Sequence, residues 1–569
     1  MVKNIFIIIL IFIISLNIYS QENLPAYPPK NPEIISTNDI KIGMEGVGYT
    51  VVEGTNIQPF KVKVLSEGRT IIVEAEGLNL EQSGIAVGMN GSPIYFDNKL
   101  AGAIYLNSNW EFNKDSTAML KPIESMHKLY DYSYYSHTNI TLSKKNVYKN
   151  LRFFAFNIEG KYIEEYANYI DILESTYEYG SISDTNQHNK FFSGDSIFIT
   201  FMDGDIILGF PATITDSDDE KFLTYIDNEH NIGRFMAPVS RSYVNFVGSL
   251  YLLSFNKVTP YNNYLGYTLY RSSDGIAGKY GDIPPDMMIP IKLEIKDDSF
   301  PKKEYNYRIL NDEDLFPALL SASVLDKSSR LLSTGVFTIN YEIESDDLKE
   351  PIKSSSKIFN YSSDKELSED IMDFLSPIYS LVDMISIKSI KISVNQNVGF
   401  KYALLDDVSV VEPRVSAGDT IHLRLKSLIY EEKKDYIDIL VKIPNNLKTG
   451  VYTIYIADGY MFESKDKELF PNRYYPASEE DIYKIYNKNY TYNNLKIWFY
   501  SQSRGIQIGS SVYPTLPSSR YGVMADYAGS DKQAVVNPVI IKNYEMPYPI
   551  IGLKKIDIRI EGDRKYENR

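Results

Sequence analysis

The 569-residue sequence contains no cysteine. That excludes disulfides, thiolate catalysis, cysteine-rich zinc sites and lipid attachment through an N-terminal cysteine. Long basic runs are missing as well. Lys and Arg number 59 against 74 Asp and Glu, a formal net charge of −15. Nucleic-acid binding is therefore not expected, because phosphate contacts need clustered cations. Histidine is scarce, with five residues in all, and His127, His137, His188 and His422 are scattered. None has a metal-ligand partner at a spacing such as HExxH, so no metal is expected. No P-loop or dinucleotide glycine fingerprint stands in a strand–helix context, and no cofactor is expected. Beyond the N-terminus, no stretch is long and apolar enough to cross a bilayer.

The N-terminus itself reads MVKNIFIIILIFIISLNIYSQ. Lys3, the apolar run from Ile5 to Leu16 and the polar residues up to Ser20 have the layout of a secretory signal peptide. The run falls short of the about 20 apolar residues of a membrane span. Cleavage is expected near Ser20–Gln21, with an uncleaved anchor as the alternative. The mature chain is then secreted or periplasmic. Residues 21–37 open with QENLPAYPPKNPEI, a Pro-rich, polar stretch that reads as an extended leader.

From Ile40 onward, short alternating runs recur: VGYTVVEG, PFKVKVLSEG, RTIIVEAEG. Gly, Asn or Asp closes most of them. Period two with closely spaced turn residues predicts a mainly β protein. The 47 tyrosines favour strands too. Helices are expected in three places only. IEEYANYIDILEST lies within 151–177. LSEDIMDFLSPIYSLVDMI (367–385) is interrupted by Pro377. SEEDIYKIYNK (478–488) opens with a Ser cap and an acidic first turn. Strands are expected at 335–343, 387–396, 418–426, 436–443 and 451–459. The length allows two to four domains. Residues 301–460 read as a β-sandwich-like domain, and 461–569 as a small mixed C-terminal unit. No internal repeat at a fixed period is visible.

One stretch carries chemistry: GIAVGMNGSPIYFDNKLAGAIYL at 84–106. Asn-Gly between apolar runs is the strongest short hairpin signal, because both residues tolerate positive φ. The same residues also have the outline of a nucleophile loop. There, glycines let backbone N–H groups point inward to stabilise an oxyanion.

The wider sequence resembles the SpoIVB-type serine peptidase family. Members carry Gly-Met-Ser-Gly-Ser-Pro, a hairpin and then Pro-Ile-Glu-x-Met. This chain has GMNGSP at 88–93 and KPIESM at 121–126. Upstream, IGMEGVGYTVVEGT (42–55) is similar to the family's opening block. Downstream, SGDSIFITFMDGDIILGFPATIT (193–215) resembles the Gly-Asp strand pair before the family's histidine. In FLTYIDNEHNIGRFMAPVSRSYV (222–244), Leu223, Gly233, Pro238, Arg241 and Val244 hold the frame of the histidine block. SDGIAGKYGDIPPDMMIPIKLEI (273–295) resembles the block that follows. The resemblance implies a trypsin-like double β-barrel over 38–300, with the two blocks meeting in a cleft.

The resemblance also places two losses. The nucleophile position is Asn90, whose amide cannot form an acyl-enzyme. The general-base position is Asp227, and a carboxylate with a pKa near 4 is a poor base for a hydroxyl. Gly88, Met89 and Gly91 occupy the oxyanion loop. Ser92 and His230 are the nearest substitutes. Moving the hydroxyl by two residues displaces it by several Å, and about 1 Å can cost 10²-fold. The implied function is a pseudopeptidase that binds a protein or peptide segment. The alternative is an active serine endopeptidase that uses Ser92 or another serine. A third reading is a purely structural envelope protein.

Overall fold

Alternating apolar positions become strands throughout, and the fold is mainly β. The computed structural model describes residues 24–561 apart from internal segments, of which 107–115, 131–150, 177–188 and 227–232 are the longest. The signal-like residues 1–20 lie outside the described residues. The chain forms two compact units. One comprises 1–290 with 306–326, and the other 291–305 with 327–569.

The first unit begins with six strands: β1 (Glu45–Thr50), β2 (Gln58–Ser66), β3 (Ile71–Glu76), β4 (Pro93–Phe96), β5 (Lys99–Tyr105) and β6 (Thr117–Pro122). They close into a barrel in the order β1-β2-β3-β6-β5-β4. Phe60, Val62, Val73, Ile94, Phe96 and Ile104 fill its core. Six more strands follow: β7 (Ser196–Gly204), β8 (Ile207–Ser217), β9 (Lys221–Thr224), β10 (Pro238–Ser249), β11 (Ser254–Ser272) and β12 (Gly275–Tyr280). Their pairings also close a ring, β7-β8-β9-β12-β11-β10. Both rings therefore have the same connectivity, first-second-third-sixth-fifth-fourth. Closure removes the exposed edges that open sheets must protect. This is the pair of small barrels that the resemblance implied.

The helix expected in IEEYANYIDILEST is half right. A short helix covers Gly160–Tyr166, but Ile170–Thr176 is a strand, pairing in parallel with Leu151–Phe156. Alternating β-branched Ile170 and Ile172 favour the sheet over continuation of the helix.

In the second unit, β14 (Gly335–Ser345), β15 (Ile352–Asn360) and β16 (Ile387–Asn397) share a sheet with β13 (Met288–Lys296), whose residues from Ile291 on belong to this unit, in the order β15-β14-β16-β13. Helix α1 (Asp364–Val382) brings the Phe374 ring to 5.2 Å from that of Tyr341 on the sheet. It continues through Pro377, which the sequence reading took as an interruption. Proline removes the N–H that would reach the Asp373 carbonyl. The Ser376 hydroxyl donates to that same carbonyl at 2.9 Å, which replaces the missing bond locally. Helix α3 (Glu479–Tyr486) starts as expected: the Ser478 side chain accepts the Asp481 N–H, and Glu479, Glu480 and Asp481 fill the first turn. Before it comes α2 (Gly459–Leu469).

The sandwich is present with different limits from those expected. One sheet holds β17 (Ala403–Val410), β18 (Thr420–Ile429) and β19 (Lys434–Lys442). The other holds β20 (Gly450–Ala457), β21 (Asn494–Ile508), β22 (Lys532–Glu545) and β23 (Leu553–Glu561). Leu423, Leu425 and Val441 from one face meet Ile454, Ile497 and Ile558 from the other in one core. Residues 461–569 are thus no separate small unit. They supply most of the second sheet, because each apolar sheet face must be covered by another layer.

Candidate functional site

The loop at 84–92 connects β3 to β4, the third strand to the fourth. Its centre is not a hairpin turn. Ala86–Val87 pairs in parallel with Ser254–Phe255 of β11, not with β4. The hairpin turn comes later, at Asp97 (φ 50°) and Asn98 (φ 63°), between β4 and β5. Positive φ at both residues is what a tight two-residue hairpin needs. Gly88 (φ 104°) and Gly91 (φ 95°) give the earlier loop its shape. Gly91 is also sterically required: a Cβ there would come within 2.1 Å of the Thr213 carbonyl oxygen and 3.1 Å of the Tyr225 nitrogen.

Three residues of the second barrel hold this loop. The Thr213 hydroxyl donates to the Gly88 carbonyl at 2.7 Å, and the Thr213 N–H to the Asn90 carbonyl at 2.9 Å. The Thr215 hydroxyl donates to the Gly91 carbonyl at 2.7 Å. The Thr224 hydroxyl, in turn, donates to the Thr213 carbonyl at 2.7 Å. From the other side, the Met89 side chain is fully buried in the core of the first barrel. Full burial of such a side chain stabilises by about 1.5–3 kcal/mol. The loop is thus a rigid bridge between the barrels.

Asn90 is 7% exposed. Its side-chain oxygen accepts the N–H of Leu106, just past β5, at 3.0 Å. Ser92 is fully buried, and its hydroxyl donates to the Met89 carbonyl at 2.6 Å. Two N–H groups of this loop are also committed within the fold. Met89 donates to the Ala86 carbonyl at 2.9 Å, and Gly91 to the Ile104 carbonyl at 2.9 Å. The Ser92 hydroxyl and these two N–H donors thus serve the fold.

The segment after β9 connects third strand to fourth in the second barrel, the position equivalent to the 84–92 loop in the first. Its first residues, Tyr225 and Ile226, are buried, and the Tyr225 backbone passes beside Gly91. Asp227 and His230 lie outside the described residues. Sequence reasoning missed the groups around this junction. The Tyr105 ring, one residue before Leu106, lies 4.5 Å from the Tyr225 ring. The Lys121 ammonium sits 5.6 Å from the Tyr225 ring and 3.5 Å from the Asp274 carboxylate. Only the pairing order, not any local signal, brings these residues together.

The other motif residues have structural partners. The Glu124 carboxylate accepts the Thr37 hydroxyl at 2.5 Å and its N–H at 3.0 Å. These bonds hold its pKa below the usual carboxylate range. His127 Nε2 lies 2.8 Å from Asp216 Oδ2, tying the turn after β6 to β8. Buried Arg241 pairs with Asp195 at 3.3 Å, linking two of the blocks seen in the sequence. His422 is paired with Glu412, and His137 and His188 lie outside the described residues. Among the described residues, no three His, Asp or Glu side chains are grouped to hold a metal. Nor is any helix among them long and apolar enough to cross a membrane.

No known family model matches the chain, and no curated protein matches it.

Proposed function

We propose that the chain is an exported, catalytically silent relative of the SpoIVB-type serine peptidases, and that the groove between its barrels holds an extended segment of another protein without cleaving it. The observation that carries this reading is the state of Asn90. An amide stands where the family's reactive hydroxyl would be, and it is locked to the Leu106 N–H. The nearest substitute supports the same reading. The Ser92 hydroxyl is buried and donates to the Met89 carbonyl, so a substrate carbonyl cannot reach it without unfolding the turn. The partner segment would lie against the Tyr105, Lys121 and Tyr225 side chains where the two barrels meet.

A serine-directed fluorophosphonate probe tests the silence of the site. The native protein should stay unlabelled. Labelling that Ser92→Ala abolishes would overturn the proposal in favour of an active endopeptidase. Asn90→Ser combined with Asp227→His should restore some labelling if only these two groups were exchanged. A protein that co-purifies with the native chain should be lost when the groove is blocked by a bulky substitution at Lys121. Unchanged co-purification would favour a purely structural role.

A further inference from the structure

Asn90–Gly91 is the only Asn-Gly pair in the sequence. In an unconstrained chain such a pair is chemically labile. The glycine nitrogen attacks the asparagine side chain readily, because glycine has no Cβ to hinder the approach. Here the two residues are the centre of a turn, closed by the Ser92 N–H donating to the Met89 carbonyl at 2.9 Å. Asn90 has negative φ and Gly91 a φ of 95°. Among the hydrogen-bonded turns with two central residues, that combination is type II, which sets ψ of the first one at about +120°. Ring closure needs the Gly91 nitrogen alongside Cβ across the Asn90 Cα–C bond, and at this ψ it points away. The peptide unit between the two residues must rotate before it can react.

Both barrels hold that unit. Its carbonyl, from Asn90, accepts the N–H of Thr213 on β8 of the second barrel at 2.9 Å. Its N–H, from Gly91, donates to the carbonyl of Ile104 on β5 of the first barrel at 2.9 Å. The Asn90 side chain is fixed as well, by the Leu106 N–H. Rotation breaks the bonds to Thr213 and Ile104 together and leaves buried polar groups without partners, so the turned-over state is rare.

We propose that Asn90–Gly91 is a site of covalent self-modification held shut by the two barrels: once the turn is released, Asn90 converts to aspartate and isoaspartate and the bridge is lost for good. The Gly91 nitrogen gives its proton to solvent and attacks Asn90 Cγ. The new N–C bond forms, the Cγ–Nδ2 bond breaks, and ammonia leaves. Water then opens the succinimide at either carbonyl. In isoaspartate the main chain runs through Cβ and Cγ and is longer by one atom. The Thr213 and Ile104 partners then no longer fit the peptide between them, and a new carboxylate sits in the loop. The inference stands whether or not the groove between the barrels holds a partner.

The test is peptide mapping by mass spectrometry of the full mature chain during incubation at neutral pH, folded and in urea. Asn90 should convert more than about 100-fold more slowly in the folded chain, a ratio set by the population of the opened turn. Thr215→Val loses the hydroxyl on the Gly91 carbonyl, and Thr213→Val the one on the Gly88 carbonyl. Each should speed conversion of the folded chain about tenfold. Ser376→Ala, in the second unit, should leave the rate unchanged. Circular dichroism establishes which of the two threonine variants are folded, and either suffices. Equal rates in the folded and urea-treated chains would overturn the proposal. So would a folded threonine variant that converts no faster than the native chain, or chain cleavage after Asn90 in place of the change from amide to acid. The isoaspartate form, separated by its extra charge, should exchange the amide hydrogens of Thr213 and Leu106 faster than the native form. Unchanged protection there would show that the bridge survives the modification, and would equally overturn it.

Discussion

The side-chain oxygen of Asn90 and the backbone N–H of Leu106 are joined at 3.0 Å. That bond links the centre of the 84–92 loop to the end of β5. A serine at position 90 is too short to span the same distance. Asn90→Ser should therefore cost about 1–2 kcal/mol, the usual effect of leaving a half-buried donor unpaired. A lower urea midpoint with an unchanged slope would show it. The single substitution should not become reactive towards fluorophosphonate, because no base is restored with it.

Gly91 should tolerate no side chain. Its φ of 95° disfavours any L-residue, and a Cβ would overlap the Thr213 carbonyl. Strain and clash together predict a loss of about 3 kcal/mol or more for Gly91→Ala. Thr215→Val removes only the hydroxyl that donates to the Gly91 carbonyl, and should cost about 1–2 kcal/mol. Thermal unfolding of the two variants should rank them in that order. A Gly91→Ala protein as stable as the native one would mean that the loop does not bridge the barrels as described.

Ser376 and Pro377 should be coupled. Ser376→Ala leaves the Asp373 carbonyl without the donor that replaces the proline's missing N–H, at an expected cost of about 1 kcal/mol. With Pro377→Ala in the background, a backbone N–H is available again. The serine should then matter much less. A double-mutant cycle in urea should give an interaction energy of about 0.5–1 kcal/mol. Additive effects would show that the hydroxyl does not substitute for the backbone donor.

Much of this architecture was legible. Alternation located the strands at 335–343, 387–396 and 436–443 because one face of each is buried. Ser478 announced its helix because capping is local chemistry. Other features depended on distant partners. Nothing near Pro377 indicates a continuous helix unless Ser376 is read as a donor to Asp373. Ile170 and Ile172 could face a helix side or a sheet, and only the parallel partner Leu151–Phe156 decides between them. The matching connectivity of the two barrels was hidden for the same reason. It resides in pairings such as Val47 with Tyr95 and Ile197 with Arg241, which need no repeated sequence. The bridge loop was legible as a motif, but its anchors Thr213, Thr215 and Leu106 were not. They reach it across 16 to 125 positions of chain.

Asp458 gives the second unit a pH dependence. Its carboxylate is buried at the start of α2, where one oxygen accepts the N–H groups of Tyr460 (2.8 Å) and Met461 (2.9 Å), and the other that of Gly552 (2.9 Å). Burial outweighs these bonds and raises its pKa from 3.8 to about 6. A raised carboxyl pKa means that the folded state holds the proton more tightly than the unfolded state. The resulting stabilisation is fully present below pH 3.8 and is lost as the pH rises through 6. Between pH 4.5 and pH 7 the native protein should lose about 2 kcal/mol from this group. Asp458→Asn removes the titration and puts an amide N–H₂ against a backbone donor, so the variant should be less stable at both pH values. The stability gap between native and variant, read from urea midpoints, should narrow as the pH rises from 4.5 to 7. A constant gap would mean that the carboxyl ionises inside the fold as easily as in water, with its three backbone donors fully offsetting its burial.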